Sequence, residues 1–136
     1  MIAYNAQTSY NKYKENNISQ AKPEELTFML YNGLVKFIMR AQDAVRGNRM
    51  EEAHNNIVKA QNIVMEFMNT LDRNYEVSTS LELLYDYLYR RLVDANVKKS
   101  DEILEEVLGF SKELRDTWEK AMKLAKVCLL YTSRRG

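Results

Sequence analysis

The chain has one histidine, one cysteine and one proline in 136 residues, and only four glycines. Each scarcity removes a class of protein. Few breakers argue for long helices and against a sandwich or barrel, whose tight turns consume glycine and proline. One cysteine, Cys128, cannot close an internal disulfide, and the count excludes haem attachment through Cys-x-x-Cys-His. One histidine excludes a ferritin-like di-metal site, which takes Glu-x-x-His from two helices. The single copy here, Glu51 to His54, reads as surface residues in the first turn of a helix. There is no Walker-type glycine loop and no Gly-x-Ser-x-Gly elbow. A Ser/His or Cys/His pair would have to rely on His54. No catalytic residue, metal ligand or cofactor is assigned, and a protein that is not an enzyme is expected.

Charge of one sign is missing too. Twenty basic and nineteen acidic side chains leave a net charge of +1, so no broad field draws in nucleic acid or an anionic membrane. The basic pairs Arg90-Arg91 and Lys98-Lys99 are interleaved with Asp86, Asp94 and Asp101, the pattern of a solvated, ion-paired face. No long uncharged apolar run is available to span a bilayer. The opening MIAYNAQTSYNKY has neither the apolar run nor the basic start of a secretory signal. These absences predict a cytoplasmic protein with no nucleic-acid partner and no membrane insertion. The length suits one domain with a real core.

What is present is helical periodicity. Pro23 suits a first helical position, with Glu24 and Glu25 at the positive end of the dipole. Leu26, Leu30, Gly33, Phe37, Ala41 and Ala44 then step by three or four to a stop at Gly47. Asn48, with Glu51 three residues on, has capping spacing for a second helix reaching about Asp72. Its seam is Ala53, Ile57, Ala60, Val64, Phe67 and Leu71. Thr79 and Glu82 have capping-box spacing for a third helix ending near Lys98, with Leu81, Leu84 or Tyr85, Leu88, Leu92 and Ala95 as its stripe. Ser100 can cap a fourth helix carrying Ile103, Val107, Phe110, Leu114, Trp118, Ala121 and Ala125, with Trp118 expected in the core. Short connections between long amphipathic helices predict an all-α fold, an antiparallel up-down four-helix bundle over residues 23–127. Residues 1–22 are polar but carry Tyr4, Tyr10 and Tyr13, and read as a strap or short helix docked on the bundle. Residues 128–136 are set apart. CLLYTS is what TGT CTC TTA TAC ACA TCT encodes, which resembles a transposon end used in preparing sequencing libraries. The expectation is a non-native, adapter-derived tail.

The apolar content exceeds what a bundle stripe needs. Phe28, Tyr31, Val35, Ile38 and Met39 widen the first helix's arc past the roughly 100° of a core-facing stripe. Val58, Met65 and Met68 on the second helix, and Leu83 and Tyr87 on the third, lie off their seams. In the third, LYDYLYRRLVDAN (84–96) puts three tyrosines in five positions. Tyr85 and Tyr89 share a face there, and Tyr87 points away. Neighbouring helices and the strap can cover this excess. The functional reading is a groove for an apolar partner segment, which methionine and tyrosine suit by adaptability and by joining an apolar face to a hydroxyl.

Several runs together resemble the flagellin export chaperone family, FliS: Tyr10-x-x-Tyr13-x-x-Asn16, Pro23-x-x-Leu26, FMLYNG (28–33), KAQNIVMEF (59–67) followed by Leu71-Asp72, and YDYLYRRLVDAN (85–96). They fall in order across about residues 10–120. Thr8-Ser9 stands where the family often has Asn-Pro. The resemblance implies a cytoplasmic bacterial chaperone that binds the C-terminal segment of unpolymerised flagellin. It would prevent early polymerisation and deliver the client to the type III export gate. The client segment, disordered when free, would wrap along the outside of the bundle. By the same resemblance, partner-binding positions are Tyr10 and Tyr13 on the strap, and Leu30, Tyr31 and Leu34 on the first helix, with Tyr31 outermost. Ile57, Ala60, Ile63 and Val64 follow on the second helix, then Tyr85, Tyr89, Arg90 and Asn96 on the third. The alternative is a bundle that binds another flagellar regulator or an export component.

Overall fold

Pro23 opens the first helix, where its missing N–H leaves no bond unmade. The computed structural model describes residues 22–135, with side chains through Val127. The helices are α1 (Pro23–Arg46), α2 (Met50–Thr70), α3 (Ser78–Lys98) and α4 (Asp101–Arg135). Among the described residues there is no strand. The strap tyrosines Tyr10 and Tyr13 lie outside the described residues. The α4 backbone stays helical to Arg135, within the segment set apart as foreign, whose leucines suit a helix whatever their origin.

The expected four-helix bundle is what forms. α1 packs on α2 and α4, and α3 packs on the same two. Neighbours run antiparallel, as the pairings demand. The Lys59 ammonium sits 5.4 Å from the Phe37 ring centre, while Phe67, later in α2, meets Tyr31, earlier in α1. Trp118 of α4 reaches the first turn of α1, and Asp101 at the start of α4 meets Arg46 at the end of α1. Leu34, Ile38, Ile57, Val64, Leu88, Leu92, Leu104 and Val107 form the fully enclosed centre. Each such side chain contributes about 1.5–3 kcal/mol by leaving water. Ala41, Ala44, Ala53, Ala60 and Ala95 are equally enclosed, and their small size lets the helices approach closely.

The helix caps depart from expectation in two places. Asn48 adopts a left-handed conformation, φ 58°, in the tight turn after Gly47, which asparagine tolerates better than most residues. Arg49 becomes the N-cap of α2 and bonds to Glu52 at 2.6 Å and Asp43 at 2.6 Å. The Asn48/Glu51 box is therefore replaced by an ion pair. Thr79 lies inside α3, and Glu82 pairs with Arg73 of the preceding loop. The third device does form: the Ile103 N–H donates to Ser100 Oγ at 3.2 Å.

The wide apolar arc of α1 also finds its explanation in the ring of helices. Tyr31, Val35 and Ile38 are buried, and of that extra set Met39 is the residue left half exposed. A helix with two packing partners needs a broader apolar face than one with a single partner. Gly109 is a different matter. It sits inside α4 with open space around an added Cβ. Gly109→Ala is expected to raise stability by about 0.5–1 kcal/mol through helix propensity alone. Urea denaturation followed by circular dichroism checks this; a loss of stability would mean that an added methyl group meets a neighbour at this site.

Candidate partner-binding cleft

Where α1 and α3 begin and α2 ends, the bundle does not close. An apolar cleft of about 710 Å³ opens there. α1 contributes Thr27 and Tyr31, and α2 contributes Phe67 and Thr70. The α2–α3 loop adds Leu71, Asp72, Tyr75 and Val77, and α3 adds Ser78, Leu81, Leu84 and Tyr85. The far wall is α4, with Phe110, Glu113, Leu114, Thr117, Trp118 and Ala121. Six of the ten partly buried hydrophobics that pack against the core line this cleft: Leu71, Leu81, Leu84, Phe110, Leu114 and Trp118. Much of the partly covered apolar surface of the bundle thus gathers here, and Tyr75 and Val77 expose more of it on the lip, while Met39, Leu83, Val97 and Leu124 stand exposed elsewhere.

The floor is aromatic. Phe67 lies between Tyr31 and Tyr85, with ring centres 4.4 Å and 5.4 Å away. Trp118 leans toward Tyr31 at 6.5 Å, and its indole N–H donates to the Glu24 carbonyl at 2.8 Å. That bond ties the α4 wall to the first turn of α1. The hydroxyls of Tyr31 and Tyr85 bond to each other at 2.6 Å, and both residues are more than nine-tenths buried. Burial raises the pKa of each phenol above its ordinary value of 10, because a phenolate would lose its hydration. The neutral pair therefore supports the fold below pH 10. The unfolded chain ionises as pH rises past 10 while the folded pair cannot, so that support is lost in alkali. The thermal midpoint is expected to fall above pH 10, and less steeply in a Tyr31→Phe/Tyr85→Phe variant. Equal slopes in the two proteins would show that this pair is not the cause.

The charged residues lining the cleft are Asp72 and Glu113, both acidic. Stronger electrostatics lie elsewhere, on the α3–α4 seam. There Arg91 Nε and the Tyr87 hydroxyl both donate to Glu106 Oε1 at 2.9 Å. The bonds from Arg91 and then Tyr87 hold the Glu106 carboxyl below its usual range. Tyr87 also meets Phe110 edge-on at 6.0 Å. The tyrosine expected on the outer side of α3 thus closes a seam. Among the described residues no three His, Cys, Asp or Glu side chains converge as a metal site would require. No helix there is long and apolar enough to cross a membrane.

The sequence-derived partner positions distribute unevenly. Tyr31 and Tyr85 line the cleft, but Tyr31 is inside, not outermost, because its ring closes on Phe67 and its hydroxyl on Tyr85. Leu34, Ile57, Ala60 and Val64 have no exposed surface, and Leu30 and Ile63 almost none. They form the interior of the bundle. Tyr89 is half buried against the core, and Arg90 is exposed and paired with Asp86 at 3.0 Å. Asn96 lies at the opposite end of the bundle. It bonds His54 Nδ1 at 2.8 Å and receives the Lys99 ammonium at 2.7 Å, so His54 is a seam residue, not a surface one. The sequence reading missed Phe67, Leu71, Leu81, Leu84, Phe110, Leu114 and Trp118 as cleft residues. Six of the seven stand on the expected core stripes, and Leu84 shares its stripe position with Tyr85. Position sets them apart: Phe67, Leu71, Leu81 and Leu84 come from the end of α2, the loop and the start of α3, and Phe110, Leu114 and Trp118 from the stretch of α4 that faces them.

Comparison with known proteins places the chain in a family. Residues 5–125 match the family described as flagellar protein FliS. The chain is similar to the flagellar secretion chaperone FliS of Bacillus subtilis (strain 168), with 46% identity over 117 residues that cover 86% of this chain and 88% of that one. It is 31% identical to the flagellar secretion chaperone FliS of Campylobacter jejuni over 114 residues, covering 82% and 89%. It is 28% identical to the one of Salmonella typhimurium over 109 residues, covering 78% and 81%.

Proposed function

Because this chain belongs to the family of the flagellar protein FliS, we propose that it is a cytoplasmic flagellar secretion chaperone whose client is the C-terminal segment of unpolymerised flagellin. Holding that segment keeps it from polymerising early and presents it to the flagellar export apparatus. The observation that carries the reading is the cleft, an apolar concavity with an aromatic floor and no reactive constellation. Such a surface suits recognition of an apolar segment better than catalysis. A disordered client pays entropy on ordering, and apolar burial along an extended contact offsets it.

The strap of residues 1–22 belongs to the same reading. It joins α1 at Pro23, one residue before Glu24, whose carbonyl is bonded to Trp118 on the cleft wall. In this reading the strap covers part of the cleft in the free protein and is displaced or rearranged by the client. Residues 128–136 are assigned no part in binding.

Trp118 is the single tryptophan of the chain and lines the cleft, so the protein reports on its own occupancy. Titration with a tryptophan-free C-terminal flagellin peptide is expected to shift its emission to the blue and to saturate. Calorimetry on the same pair should give heat and ordering of the peptide. No spectral change and no heat at high micromolar peptide would end this proposal.

A further inference from the structure

The tyrosine pair at the cleft floor has one proton more than its mutual bond can use. Each phenol offers one O–H and accepts through its oxygen. When one hydroxyl donates to the other across 2.6 Å, the second proton still needs an acceptor. No other hydrogen bond reaches either hydroxyl among the described residues. The surrounding floor offers ring carbons of Phe67, which accepts nothing strongly. Ionising the pair would remove the proton, but burial opposes that for both phenols. An O–H left unpaired at such a site is unfavourable by the cost of desolvating it.

We infer that this spare O–H is a specificity group of the cleft, and that it selects an occupant which brings a neutral carbonyl oxygen to the floor at the centre of an otherwise apolar contact. A neutral acceptor is required because no basic side chain lines the cleft among the described residues; its two charged residues, Asp72 and Glu113, are acidic and exposed. A carboxylate on the occupant would be buried there with no cation beside it. The carbonyl can belong to a glutamine or asparagine side chain, or to a main-chain group outside a helix, since carbonyls within a helix are already bonded. The pair therefore rejects a purely apolar segment, which would leave the O–H buried and unmet. This rests on the cleft being the client site, and it adds the chemistry that the client must carry there.

The test uses the full chain and the C-terminal flagellin peptide, with Tyr31→Phe, Tyr85→Phe and the double variant. The double variant keeps the floor's shape and has no O–H to give. It is expected to bind about tenfold more weakly than the wild type, as for one lost hydrogen bond to a buried acceptor. Each single variant still has one O–H, now without a tyrosine acceptor, and should lose no more than about threefold. Melting curves for all four proteins separate binding from folding. Replacing each glutamine and asparagine of the peptide by leucine then locates the acceptor. A position whose loss is non-additive with the double variant identifies a side-chain amide. A tenfold loss that couples to no side chain identifies a main-chain carbonyl. Equal or tighter binding by the double variant overturns the inference while leaving the chaperone reading intact. Failure of the wild type to bind the peptide overturns both.

Discussion

Phe67→Ala is expected to lower the unfolding free energy by about 3–5 kcal/mol, the range for emptying a buried aromatic site. The ring is 6% exposed and held between Tyr31 and Tyr85. Its removal forfeits apolar burial and two aromatic contacts, each contributing about 0.5–1.5 kcal/mol beyond area. The surrounding tyrosines are restrained by their own hydroxyl bond, so the cavity collapses poorly. Phe67→Leu should recover much of the loss. Tyr75→Ala, on the exposed lip, should stay within about 0.5 kcal/mol of the wild type. Chemical denaturation of the three variants gives the ranking. A loss under about 1 kcal/mol for Phe67→Ala would mean that the aromatic floor does not hold this end of the bundle together.

The second large effect is on binding. Trp118→Ala should weaken the client by about 2–4 kcal/mol, or some thirtyfold to a thousandfold, as expected for a tryptophan at the centre of a contact. Its cost to folding should be far smaller. The ring is only partly buried, and its indole N–H makes one bond to the Glu24 carbonyl, which contributes about 1 kcal/mol net. The variant has no tryptophan, so calorimetry replaces fluorescence. Trp118→Phe restores a ring without the N–H and should lie between. If Trp118→Ala binds as the wild type does while remaining helical, the client sits elsewhere on the bundle. The half-exposed Met39 and the outward Leu83 and Val97 would then be the surfaces to examine.

These two residues illustrate how far the sequence can be read. Both stand at stripe positions, Phe67 on the seam of α2 and Trp118 on that of α4. Periodicity treats them alike, because it reports which face of a helix is apolar and nothing about what stands opposite. Phe67 meets two rings and becomes core. Trp118 meets the start of α1, where the bundle is ending, and stays half open. The three tyrosines of α3 show the same limit. Spacing separates Tyr87 from Tyr85 and Tyr89, but only the position of Glu106 and Phe110 on α4 makes Tyr87 a seam residue. The caps at Asn48 and Thr79 failed for a related reason. Asn48 turns left-handed one residue before the N-cap Arg49, whose ion pairs are with Glu52 and Asp43, and Arg73 holds Glu82; which side chains meet across a turn is not visible in spacing.

The sequence by itself determined the number of helices, their stripes and their approximate ends, because backbone propensity and the period of apolar residues are local properties. Its ordered runs were enough to suggest the family, which the match over residues 5–125 bears out. Tertiary structure alone decided where that apolar surface stays uncovered. α1 and α3 begin, and α2 ends, beside a wall of α4 that has already left the closed part of the bundle, and a loop carrying Tyr75 and Val77 fills the gap incompletely. Whether an apolar residue is core or cleft depends on which helix ends meet it, and that relation is long-range. The same holds for the tyrosine pair. Fifty-four residues separate Tyr31 from Tyr85, and only the folded ring of helices brings their two hydroxyls to one floor.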